Sequence, residues 1–122
     1  MRDPEYTETA DDEIMVIPQI ETELSVRNVE EIVTTDGIDA VFVGPFDLSL
    51  SLGVFRQFES STFQRAIKMI VSSCEAHGIA PGLLAPTGSP QRSVEQGFKL
   101  ISLGLDLTML TQQIRDVMKT VR

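Results

Sequence analysis

The chain has 122 residues, 42% hydrophobic and 23% charged, which fits one globular unit and leaves little room for two. Its 18 acidic residues against 10 basic ones give a net charge of -8, which argues against nucleic acid or an anionic membrane surface as partner, because both reward clustered Lys and Arg. The single cysteine, Cys74, excludes an internal disulfide framework and suits a reducing, cytoplasmic compartment.

No apolar run approaches the ~20 residues of a membrane span. Met1-Arg2-Asp3-Pro4-Glu5 lacks the apolar core of a signal peptide. Residues 1–13 form an acidic leader, with Asp3, Glu5, Glu8, Asp11, Asp12 and Glu13 against Arg2 alone. Such a segment reads as a solvated tail or the end of a helix. The rest of the chain is an ordinary mixture of charges.

Four apolar runs follow: Ile14 to Ile20, Ile38 to Val43, Ile79 to Leu84 and Leu100 to Leu105. They are nearly continuous rather than alternating, as in parallel strands covered by helices on both faces. Each is followed by a helical pattern. Ser25 to Val33 carries Val26, Val29, Ile32 and Val33 on one face and ends near Asp36-Gly37. After Ser60 or Ser61 as N-cap, Phe63, Ala66, Ile67, Ile70, Val71 and Cys74 recur at amphipathic helical spacing, with Gly78 placed to end the helix. Ser89-Pro90 predicts a cap and first residue for a short helix stopping near Gly97. Leu110, Ile114, Val117, Met118 and Val121 form one stripe of a last helix. The order βαβαβαβα requires a parallel sheet with right-handed crossovers. A full (β/α)8 barrel needs ~250 residues, so this is half a barrel or a small open doubly wound sheet.

Functional groups in such folds gather at the carboxyl ends of strands. Two neighbouring ends each present a carboxylate, Glu21 and Asp47. Two acids held close repel, and a hard divalent cation removes that conflict while keeping positions for water and substrate oxygens. The bland alternative is a helix cap at Glu21 and a turn residue at Asp47. Gly44-Pro45 before Asp47 lets backbone N–H groups approach an anion, or simply makes a tight turn. His77 lies at the far end of its helix and reads as a dipole-favoured histidine, not a catalytic base. Cys74 reads as core, and Asp106, just past the fourth run, either reaches the site or caps the last helix, with the cap favoured.

Pro18-Gln19-Ile20-Glu21-Thr22, followed by Gly37-Ile38-Asp39-Ala40-Val41-Phe42-Val43-Gly44-Pro45-Phe46-Asp47-Leu48-Ser49, resembles the HpcH/HpaI aldolases. These are metal-dependent 2-oxo acid aldolases related to the citrate lyase β subunit, within the phosphoenolpyruvate/pyruvate barrel superfamily. The similarity extends through Ser51-Leu52-Gly53, Ala80-Pro81-Gly82-Leu83-Leu84 and Leu103-Gly104-Leu105-Asp106, over nearly all of residues 14–122. It corresponds to the C-terminal half of the family barrel, with residues 1–13 similar to the tail of the preceding helix.

The resemblance implies an α/β fold, a partial (β/α)8 TIM barrel with about four βα units. It implies a carbon–carbon lyase acting on pyruvate-type 2-oxo acids, with Glu21 and Asp47 as ligands of Mg²⁺, Mn²⁺ or Co²⁺. Gln19 would line the substrate pocket. Gly44, Pro45 and Phe46, with Asp47, would hold the substrate carboxylate, and the bulky Phe46 occupies the variable position of the motif. It further implies a homo-oligomer with a small-molecule substrate and neither nucleic acid nor membrane as partner. The family's catalytic Arg and His belong to the N-terminal half, which the match does not reach. A half barrel that binds without turnover, or one that needs a partner to close it, therefore stays open beside the enzyme.

Overall fold

The computed structural model describes residues 6–85 and 90–121. Four strands, β1 (Gln19–Ile20), β2 (Ala40–Val43), β3 (Ala80–Leu84) and β4 (Leu100–Ser102), form one parallel sheet in the order β1-β2-β3-β4. The described residues also form seven helices: α1 (Tyr6–Glu13), α2 (Glu23–Arg27), α3 (Val29–Val33), α4 (Pro45–Ser51), α5 (Ser61–His77), α6 (Pro90–Glu95) and α7 (Asp106–Thr120). Sequence order equals spatial order, as expected of half a barrel rather than a doubly wound sheet, whose strand order reverses.

Alternation across the strands decides the core. Ile20, Val41, Val43 and Leu83 turn to one face, where they pack with Val26, Val29 and Val33 and with the apolar stripe of α5. That stripe is the one its spacing predicts: Phe63, Ala66, Ile67, Ile70, Val71 and Cys74 are all buried. The Ser60 side chain accepts a hydrogen bond from the Phe63 N–H, and Gly78 ends the helix at φ 72, where a residue with a Cβ is strained.

The other face of the sheet carries Phe42, Gly82 and Leu100. A Cβ on Gly82 would stand 2.6 Å from Phe42 Cδ2 and 3.3 Å from Leu100 Cβ. Phe42 and Leu84 are half-buried and Leu100 is exposed, so the expected burial of every strand on both faces holds for one face only.

Three expectations shift. The first run condenses to a two-residue strand, and Ile14 to Ile17 are exposed, linked to the sheet by the Asp39 N–H to Val16 O and the Val16 N–H to Asp39 Oδ2. The helix expected over Ser25 to Val33 breaks at Asn28, with φ -97 and ψ 11, into α2 and α3. The stripe of α7 forms, but no residue of that helix is buried. The expected cap Ser89 lies outside the described residues; α6 does begin at Pro90.

Candidate metal and substrate site

The pairing of Gln19 with Phe42 and of Ile20 with Val43 brings the end of β1 alongside the end of β2, so Glu21 arrives beside Gly44. Ile20 points into the core with no exposure, which sends Gln19 and Glu21 to the opposite face together. Both side chains lie against Gly44. A Cβ there would be 3.0 Å from Glu21 Oε2, 3.3 Å from Glu21 Cβ and 3.8 Å from Gln19 Nε2. Gly44 has an ordinary φ of -89, so what this position requires is the absence of a side chain, not an unusual backbone.

Gly44 is also the N-cap of α4, and Pro45 supplies the pre-set φ of a first helical residue. Asp47 falls in the first turn, where the helix dipole favours an acid, and is exposed. The turn at Gly44-Pro45 thus opens a short helix of its own, Pro45–Ser51, ahead of the amphipathic helix that the apolar spacing predicts. A hydrogen bond from the Glu23 N–H to Ser51 Oγ, 2.9 Å long, ties the β1–α2 turn to the end of α4.

The bland role for Glu21 is taken by another residue. Thr22 is the N-cap of α2, accepting from the Ser25 N–H, while Ser25 Oγ accepts from the Thr22 N–H. The signal was available as Thr22 three residues before Ser25. Among the described residues neither Glu21 nor Asp47 has a hydrogen bond or ion pair to its carboxylate.

No group of three or more His, Cys, Asp or Glu among the described residues could hold a metal ion. Glu21 at the end of β1 and Asp47 in the first turn of α4 are donors of the kind a hard cation of the Mg²⁺ type takes, since such an ion uses one or two carboxylates and fills its remaining positions with water and substrate oxygens.

Phe46 is braced from several sides. Phe58 meets its ring edge-on at 5.5 Å between centroids, and the Arg56 guanidinium sits 5.4 Å from the ring centroid. The fully buried Ser49 donates to Phe46 O at 2.8 Å and accepts from the Arg56 N–H at 3.1 Å. Ser49 closes the motif that carries the family resemblance, though no role was read for it there, and nothing in the local pattern marks Arg56. Phe46 also borders a cleft of about 730 Å³ at the ends of β3 and β4.

His77 is remote from these strand ends. Its Nε2 lies 2.6 Å from Glu30 Oε1, and Ser73 Oγ donates to Glu30 Oε2, so the histidine joins α5 to α3. The Ser73 and His77 hydrogen bonds hold the Glu30 carboxyl below its usual range. Burial pushes the Cys74 thiol up to about 11, as suits a core residue. Asp106 does not cap α7 from outside: it is the first helical residue, and its Oδ1 accepts from the Leu107 N–H at 2.6 Å.

A family model for HpcH/HpaI aldolase/citrate lyase matches residues 1–112. The chain belongs to the HpcH/HpaI aldolase/citrate lyase family. It is 38% identical over 120 residues to 5-keto-4-deoxy-D-glucarate aldolase of Klebsiella pneumoniae, covering 95% of this chain and 47% of that protein. It is 35% identical over 119 residues to hydroxypyruvate/pyruvate aldolase of Paraburkholderia phytofirmans, covering 97% and 46%. The crystal structure of an HpcH/HpaI aldolase/citrate lyase family protein from Burkholderia cenocepacia superposes with a TM-score of 0.87 at 32% identity, over 98% of this chain and 47% of that one. The chain thus spans about half the length of the curated relatives it matches. In this HpcH/HpaI chain, Gln19, Glu21 and the Gly44-Pro45-Phe46-Asp47 turn stand at the strand ends where barrel sites gather.

Proposed function

We propose that the chain carries the metal and carboxylate half-site of a divalent-metal-dependent carbon–carbon lyase acting on pyruvate-type 2-oxo acids. The observation that carries this reading is the placement of Glu21 and Gln19 together over Gly44, at the strand end beside the turn that bears Asp47. Glu21 and Asp47 would hold Mg²⁺, Mn²⁺ or Co²⁺. When bound, such a cation supplies Lewis-acid stabilisation of the charge that develops on a 2-oxo acid as the neighbouring carbon–carbon bond breaks. The chain's own residues bind and orient. Gln19 offers an amide beside Glu21, Gly44 and Pro45 leave the backbone close to the substrate carboxylate, and Phe46 walls the pocket. The relatives named as aldolases support the reaction class. The single free and buried Cys74 accords with the cytoplasmic setting expected from the sequence, and no helix among the described residues is long and apolar enough to cross a membrane.

A second reading, a half-site that binds without turnover, is favoured by one observation. The only histidine of the chain is committed to Glu30 between α3 and α5, so no imidazole stands at the strand ends. Cleavage of a 4-hydroxy-2-oxo acid, read as pyruvate release, separates the two. Metal-dependent release abolished by Glu21→Ala supports the lyase. Release that Glu21→Ala leaves intact contradicts it, and metal and pyruvate binding with no release supports the second reading.

The edges of β1 and β4, unpaired among the described residues, together with the exposed stripe of α7, support self-association with a second copy. A monodisperse monomer in sedimentation would contradict that.

A further inference from the structure

We infer that the cleft beside Phe46 takes the uncharged, apolar tail of a longer 2-oxo acid, with Phe46 as its fixed wall. This rests on the reading of Glu21 and Asp47 as the site of the 2-oxo acid head. The cleft measures about 730 Å³, within the range of small-molecule sites, and lies between the ends of β3 and β4 and the start of α7. In a chain with 23% charged residues, none of the described residues lining this cleft is charged. Leu84, Leu105 and Met109 give aliphatic surface, and its polar side chains are the neutral Thr108, Gln112 and Gln113.

Two features make this surface preformed. The wall is braced: the Phe46 ring is held edge-on by Phe58, and the Arg56 guanidinium lies over it. Arg56 adopts φ 59, a left-handed conformation unfavourable for a residue with a Cβ. Ser49 holds it there, because its hydroxyl joins the Arg56 N–H to Phe46 O and so ties ring support and backbone into one brace. Backbone strain maintained beside a binding turn is the kind that preorganisation requires. The second feature is the contact between Met109 and Gly104. A Cβ at Gly104 would stand 3.0 Å from Met109 Cε, so the methionine end lies on bare backbone.

A carboxylate entering this cleft would lose water without gaining a cation. The Arg56 charge does not serve, because that guanidinium packs over Phe46 and Phe55 and does not line the cleft. An alkyl tail loses nothing by desolvation and gains burial.

Calorimetric titration of the Mg²⁺-loaded chain with pyruvate, 2-oxohexanoate and 2-oxohexanedioate tests this. The expected result is 2-oxohexanoate binding about tenfold tighter than 2-oxohexanedioate, which shares its methylenes but would bring a second carboxylate into the cleft with no cation to meet it. Phe46→Ala should bring that ratio close to one. Met109→Lys, at a half-exposed position that tolerates the change, should turn the ratio toward the dicarboxylate. Pyruvate binding with equal or better binding of 2-oxohexanedioate overturns the inference alone, as does a ratio that neither substitution moves. No binding of pyruvate overturns the reading of the half-site and the inference with it.

Discussion

The Glu21 carboxylate rests on the backbone of Gly44, and a single methyl group there would come within 3.0 Å of its Oε2. Strand pairing puts the two residues side by side, and the glycine keeps the space above the strand end open for the acid and for Gln19.

Gly44→Ala should therefore move Glu21 without unfolding the chain, since φ -89 suits alanine. Mn²⁺ affinity, measured by calorimetry, should fall roughly tenfold, the effect of disturbing a ligand's support. A melting temperature within a few degrees of the parent would show that the fold is intact. Unchanged affinity would mean that Glu21 is not held in place by this contact.

Gly82 plays the corresponding part within the sheet. A Cβ there would be 2.6 Å from Phe42 Cδ2 and 2.9 Å from Val41 O, and the second contact is backbone that cannot swing aside. Gly82→Ala should cost about 1–3 kcal/mol in urea unfolding, the range for overpacking. Adding Phe42→Leu should recover part of the loss. A neutral Gly82→Ala would show that β2 and β3 separate more freely than their register suggests.

How far the sequence foretold this arrangement differs from element to element. The α5 stripe from Phe63 to Cys74 was legible because a long amphipathic helix repeats its signal over several turns. The four strands were legible as apolar runs, but their ends were not. Ile14 to Ile17 look like strand and are exposed: the ladder between β1 and β2 takes in Gln19 and Ile20, and Val16 is tied to Asp39 outside it. Glu21 and Asp47 could be picked out as acids after strands. Thr22 three residues before Ser25 hints that Glu21 does not cap the helix, and the reciprocal bonds between Thr22 and Ser25 decide it. Arg56 gave no warning, since its left-handed conformation depends on Ser49, seven residues earlier, and on packing against Phe46.

Glu30 should show in the acid limb of stability. Hydrogen bonds from Ser73 and then His77 lower its carboxyl below the usual 4.5. A carboxyl lowered in the folded state stabilises the protein above its unfolded value, and that contribution is lost as pH falls through the folded value. Glu30→Gln should melt below the parent at pH 7, and the gap should close as pH drops under about 4.5. Circular dichroism melts from pH 7 to pH 3 measure this. A gap that stays constant to pH 3 would mean that the contact between α3 and α5 does not depend on the charge of Glu30.

The most direct measurement is Mn²⁺ binding followed by electron paramagnetic resonance, with and without pyruvate, for the parent chain, Glu21→Ala and Asp47→Ala. The account predicts that the parent binds the ion and that pyruvate tightens the binding. Each substitution should weaken binding by more than about tenfold and remove the effect of pyruvate. Either variant binding Mn²⁺ and responding to pyruvate as the parent does would contradict a cation shared between Glu21 and Asp47.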